Sequence, residues 1–247
     1  MELIESVQNT RIKNFAKLHA RKDRKKAQQF LVEGYHLVEE AVKSGLEVET
    51  ILSVNPHDIS EEMVAGSKEQ FQITFKIAEK LSQTESPQGI YAVCNTPEHE
   101  LTAFKQLIYL DRIQDPGNVG TIIRTADAAG YDGVVISKGT VDIYNDKVLR
   151  SSQGSVFHIP VIEADFNDIR QSFTGKIYGT SLKNGKNYKE VELSDEFILV
   201  LGNEGQGVDE LILNETDENL FVPIYGQAES LNVAVCAGIL MYQLKQS

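Results

Sequence analysis

The chain is poor in cysteine and in positive charge, and each shortage excludes something. Its two cysteines, Cys94 and Cys236, are far apart and form no CxxC. That excludes a disulfide scaffold and a cysteine-based zinc site. Both lie in apolar runs, which reads as buried thiols in a reducing cytosol. No apolar core of signal-peptide length occurs near the N-terminus. The longest apolar run, residues 233–242, is too short to span a bilayer. The expectation is a soluble, cytoplasmic protein with no membrane partner. The GxGxxG fingerprint and the P-loop are missing, and the five histidines are scattered singly. A nucleotide-binding metabolic enzyme or a metal-dependent one therefore has no motif to rest on.

Lysine and arginine number 24 against 36 acids, a net charge of −12. That balance alone argues against a nucleic-acid binder, but the distribution is uneven. Residues 11–26 hold eight cations and one acid, a local +7, which leaves −19 for the rest. Such a cluster can hold phosphates while the remaining surface repels them. Arg11, Lys13, Lys22, Arg24, Lys25 and Lys26 are the RNA-binding candidates. A solvated basic face is the plain alternative.

A length of 247 residues allows one large domain or two modest ones. Residues 1–95 read as a small α/β unit, with a short apolar run at 30–34 ending in a turn residue, strands at 50–54, 73–75 and 89–94, and a helix at 36–44 ending near Gly45. Residues 96–103 are polar, carry Pro97 and read as a linker. Residues 104–247 form a second domain in which strands alternate with helices. The strands are expected at 107–110, 133–137, 158–162, 176–181, 197–201 and 220–224. The helices are expected at 119–129, 146–152, 165–173, 208–213 and 231–244. Several strands are unbroken apolar runs, so the fold class is α/β with a mostly parallel sheet covered on both faces. Ligands in such sheets bind beyond the carboxyl ends of the strands.

Three of those ends carry unusual residues. After the first strand comes DPGNVGTIIRTA at 115–126, where Asn118 is placed to cap a helix and Arg124 lies off its apolar face. After the fifth comes LGNEGQG at 201–207, whose glycines bring backbone close to a ligand. Glu204 in so tight a loop needs a partner, and Arg124 is the candidate. After the sixth come VPI at 222–224 and ESLNVA at 229–234, where Ser230 or Asn232 opens an apolar helix.

In this order and spacing the three motifs resemble the SpoU family of RNA 2′-O-ribose methyltransferases, in the SPOUT superfamily. TSL at 180–182 and RSSQGS at 150–155 also match family-like segments. Residues 1–95, with VEG at 32–34, resemble the family's accessory substrate-binding domain, which has a ribosomal-protein-like fold. The resemblance implies a deep trefoil knot in the C-terminal domain, against the usual rule that chains are unknotted. It implies S-adenosylmethionine as methyl donor without a metal, RNA as substrate, and a homodimer. Carried onto this sequence, the donor would lie against backbone at Leu201, Gly202, Ile224 and Leu231, with Thr180 nearby. Asn118, Arg124, Glu204, Ser230 and Asn232 would form the catalytic set, with Glu204 orienting Arg124. The accessory domain favours ribosomal over transfer RNA. The competing readings are a tRNA methyltransferase and a catalytically silent RNA-binding protein of the same fold.

Overall fold

The computed structural model describes residues 1–99, 104–183 and 185–245. Residues 100–103 of the expected linker lie outside the described residues. The chain divides into two compact units: Met1–Glu98 with Tyr144–Phe157, and His99–Ile143 with His158–Ser247.

The first unit runs β1 (Glu2–Ile4), α1 (Thr10–Lys17), α2 (Arg21–Ala27), β2 (Gln29–Glu33), α3 (Tyr35–Lys43), β3 (Val48–Ser53), α4 (Glu61–Ala65), β4 (Ser67–Ile73), α5 (Phe75–Leu81) and β5 (Ile90–Asn95). Its sheet order is β1-β4-β3-β5-β2, with β5 antiparallel to both neighbours. Helix α3 buries Leu37, Val38 and Ala41, the i, i+1, i+4 pattern of one face. The strand expected at 73–75 is really the end of β4 and the start of α5. The first four residues of β4 are Ser-Lys-Glu-Gln, which hides the strand. β1 covers only Phe71–Ile73 on that side, so the polar half of β4 lies along an open edge.

The second unit begins with β6 (Gln106–Asp111), α6 (Pro116–Ala128) and β7 (Gly133–Ile136). The chain then enters the first unit as α7 (Asp146–Ser152), although the sequence pattern runs this helix on with its neighbours. It returns as β8 (Val161–Glu163), α8 (Phe166–Ser172), β9 (Lys176–Thr180), β10 (Lys186–Asn187), β11 (Phe197–Gly202), α9 (Glu210–Leu213), β12 (Glu218–Phe221) and α10 (Val233–Leu244). The sheet order is β10-β12-β9-β11-β6-β7-β8, and every pairing is parallel. Every residue of β11 is buried, as both-face coverage requires. β12 stops short of the expected 224, because Pro223 has no N–H to give the ladder.

Strand order switches between β6 and β11. From β6 the sheet grows one way through β7 and β8, and the other way through β11, β9 and β12. This switch point brings the loops after β6 and β11 side by side, since Gly202 pairs in register with Asp111. Helix α10 packs against α6.

Candidate active site

The loop after β6 prepares α6. Asp115, not Asn118, caps the helix: its Oδ1 accepts from the Asn118 backbone N–H at 2.9 Å, and Pro116 takes the first helical position. Proline fits there because its missing N–H has no intrahelical partner anyway. The cap therefore falls three residues earlier than the sequence suggests. That frees the Asn118 side chain for other work.

Asn118 uses both ends of its amide. Its Nδ2 donates to Glu204 Oε1 at 3.0 Å, and its Oδ1 accepts from Asn232 Nδ2 at 3.0 Å. Asn232 is the cap of α10, its Oδ1 accepting from Ala234 and Val235. The backbone N–H groups of Gln114 and Asp115 also donate to Glu204, at 3.3 and 3.2 Å. Three loops from three strand ends thus meet in one polar chain, Asn232–Asn118–Glu204. Partial burial alone would raise the Glu204 carboxyl, but the bonds from Asn118, Gln114, Asp115 and its own loop outweigh it and hold the group below the usual carboxylate range.

Arg124 does not pair with Glu204, which corrects the sequence expectation. Asn118 holds Glu204 at the start of α6, and Arg124 lies six residues on. In an α-helix that is about 9 Å along the axis and roughly 240° around it. Arg124 is exposed, and among the described residues its guanidinium has no hydrogen-bond or ion-pair partner. Ser230 is also exposed and is not drawn into the polar chain.

The backbone proposed for the cofactor lies around the same strand ends. Leu201 and Gly202 close β11, and Thr180 closes β9 with its Oγ1 donating to Val200 O at 3.0 Å. Ile224 is half-buried and Leu231 exposed in the loop before α10. Gly202 has no room for a side chain, since a Cβ there would lie 2.0 Å from the Val208 nitrogen. At Gly207 and Gly226 a Cβ would meet nothing within 4 Å. At those two positions there is space beside the backbone.

Sequence reasoning missed the floor under this site. Asp111 is 3% exposed, and its carboxylate accepts from Arg112 Nε and Nη2, both at 2.9 Å, and from the Asp209 backbone N–H at 2.9 Å. Arg112 has a left-handed φ of +54°, unusual for a residue with a side chain. An acid followed by arginine at the end of an apolar run was the available signal.

In the first unit the basic segment folds as α1 and α2. Lys13, Lys22, Lys25 and Lys26 are exposed. Arg11 is partly engaged, pairing with Glu69 and lying 4.9 Å from the centre of the Phe71 ring. Arg24 must be removed from the RNA-facing group. It is 7% exposed, and its Nη1 donates to the carbonyls of Leu18 and His19 at 2.6 and 2.8 Å.

Residues 105–242 match the SpoU rRNA Methylase family, and residues 9–92 match the MRM3-like substrate binding domain. The chain belongs to the SpoU rRNA methylase family, whose members are S-adenosylmethionine-dependent RNA ribose methyltransferases. Among its relatives is the Bacillus subtilis 23S rRNA (guanosine(2553)-2′-O)-methyltransferase RlmP. The two are 48% identical, the alignment covering 99% of this chain and 100% of that one. An AdoMet-bound rRNA methyltransferase from Sinorhizobium meliloti superposes with a TM-score of 0.89 at 28% identity, covering 98% of this chain and 97% of that one. The SpoU methyltransferase AviRb from Streptomyces viridochromogenes, in complex with AdoMet, gives a TM-score of 0.86 at 26% identity and covers 96% and 97% of the two chains.

Proposed function

We propose that this protein methylates a ribose 2′-hydroxyl of ribosomal RNA, guanosine in the large-subunit RNA being the first substrate to test. The observation that carries the reading is the Asn232–Asn118–Glu204 chain, which joins all three motif loops at the sheet's switch point. The 23S rRNA substrate of the RlmP relative and the MRM3-like match over residues 9–92 favour ribosomal over transfer RNA. A cytoplasmic location follows from that substrate. Among the described residues no helix is long and apolar enough to cross a membrane.

S-adenosylmethionine, when bound, supplies an electrophilic methyl group. Backbone at Leu201, Gly202, Ile224 and Leu231, with Thr180 beside it, would hold it. The trefoil knot implied by the family belongs to the same reading. Glu204 stays ionised and keeps Asn118 in one rotamer, and Asn232 locks the other end of that amide. Asn118, Asn232 and Ser230 position the ribose. Arg124 clamps the adjoining phosphate or the developing alkoxide. A guanidinium is a poor base because it stays protonated, so the hydroxyl proton leaves to water or to a phosphate oxygen of the RNA. No step in this scheme requires a metal.

The protein acts as a homodimer in this reading. Tyr225, Leu231, Val235 and Tyr242 are apolar side chains left 88%, 37%, 54% and 59% exposed around the candidate site and along α10. Replacing Val235 and Tyr242 by Lys should shift sedimentation from dimer to monomer. A wild type that sediments as a monomer removes the dimer.

The deciding experiment is Arg124→Ala. Single-turnover methylation of large-subunit rRNA should fall on the order of a hundredfold, as for loss of an oxyanion donor. S-adenosylmethionine binding and the melting temperature should hold. Arg124→Lys should not rescue, because an ammonium lacks the planar two-point contact. Wild-type turnover in Arg124→Ala would take the residue out of the mechanism.

A further inference from the structure

The loop at 202–209 is fastened at both ends by side chains that take no part in the Asn232–Asn118–Glu204 chain. At its start, Asn203 commits its whole amide to backbone. Its Nδ2 donates to Arg112 O at 2.8 Å, and its Oδ1 accepts from the N–H groups of Gly205 and Gln206 at 2.9 and 3.1 Å. The Asn203 carbonyl also accepts from Gly207 N–H at 2.8 Å, closing the turn. At its far end, Asp209 N–H donates to Asp111, the buried acid at the tip of β6.

Arg112 links the two anchors. Its guanidinium forks onto Asp111, its N–H donates to Ser137 Oγ at 2.9 Å, and its left-handed backbone carries the carbonyl that accepts from Asn203. A non-glycine residue is kept in that conformation only where its surroundings over-determine it. Here four hydrogen bonds to Arg112 do so.

We propose that Asn203 and Asp111, acting through Arg112, are positioning residues that set the 202–208 loop in its cofactor-accepting shape before S-adenosylmethionine arrives. The proposal rests on the reading of that loop as the cofactor site. The physical reason is preorganisation. A loop of three glycines in six residues has many accessible conformations, and fixing them at the moment of binding would weaken affinity. Asn203 and Asp111 fix them in advance with buried or internally satisfied groups, and the space beside Gly207 stays free.

The test uses the full chain, with calorimetry and hydrogen–deuterium exchange. In the wild type, S-adenosylmethionine should slow exchange across 202–208. In Asn203→Ala the unliganded loop should exchange faster and the Kd for S-adenosylmethionine should rise by at least about fivefold, the size expected for one or two net hydrogen bonds. The KM for S-adenosylmethionine should rise with it, and kcat at saturation should stay within about twofold. A purely structural role would lower the melting temperature and leave KM alone. Asn203→Asp keeps the turn acceptors but sets a carboxylate against the Arg112 carbonyl. It should also weaken binding, and it serves if the Ala variant does not fold. No protection of the wild-type loop would overturn the cofactor assignment and the proposal together. Protection in the wild type with unchanged affinity in a folded Asn203 variant would overturn the positioning role alone.

Discussion

Glu204 carries a charge that its surroundings favour, and this has a pH signature. Its folded carboxyl lies below the ordinary value of 4.5. The group therefore contributes stability that is fully present above the unfolded value and is lost as pH falls through the folded one. Glu204→Gln should remove that part of the acid limb in urea titrations run from pH 7 to pH 3. An unchanged limb would mean that the Asn118 and backbone bonds do not favour the ionised form. Cys94 makes the opposite case. It is fully buried in β5, and burial pushes its thiol up to about 12. Iodoacetamide at pH 8 should label it only after unfolding, which mass spectrometry reads directly. Both behaviours depend on neighbours. A glutamate between asparagine and glycine and a cysteine between valine and asparagine say nothing by themselves about which partners arrive.

Within a single helix, α2, cations of one charge have two jobs. Arg24 caps the preceding turn from inside, and its loss leaves the Leu18 and His19 carbonyls without their donor. Arg24→Ala should destabilise the first unit by about 1–3 kcal/mol, the cost of buried groups left unpaired, in a thermal or urea melt. Lys22, Lys25 and Lys26 face outward. Their triple change to Ala should leave the melt nearly unchanged, weaken RNA binding and reduce its salt slope by roughly one unit for each phosphate no longer neutralised. A wild-type slope would make the face a solvated one. Helix α6 makes the same point through geometry. The motif writes Asn118 and Arg124 together, but 3.6 residues per turn sends them to different sides. Glu204 bonds to the first and not to the second.

The units of the whole molecule do not follow the order of the chain. Tyr144–Phe157 belongs to the first unit. There Phe30, fully buried in β2, stacks on Tyr144 at 4.3 Å and on Phe157 at 6.1 Å between ring centroids. Phe30→Ala should cost about 3–5 kcal/mol, read as earlier loss of the first unit's exchange protection in urea. A change within about 0.5 kcal/mol would show that the returning segment does not stabilise that unit. Charge is divided as unevenly as the fold: a local +7 sits in a chain of −12.

The alternation of apolar strands with amphipathic helices was legible in the sequence, because both-face burial writes itself as unbroken runs such as Phe-Ile-Leu-Val-Leu in β11. The three motif loops were legible too, since glycine, proline and asparagine mark where backbone must turn or approach. Helices α1, α2, α4 and α5 and the polar half of β4 were not, because elements of eight residues or fewer show little periodicity. Sequence alone determined the family and the mostly parallel character of the sheet. Only the tertiary structure decided that Asp115 caps α6, that Asn118 rather than Arg124 holds Glu204, that Arg24 is internal, and that Asp111 and Asn203 brace the glycine loop. Each of those is a pairing between distant positions or a matter of where a cap falls. Residue type limits what a side chain can bond to, but only the packed backbone brings a particular donor within about 3 Å of a particular acceptor.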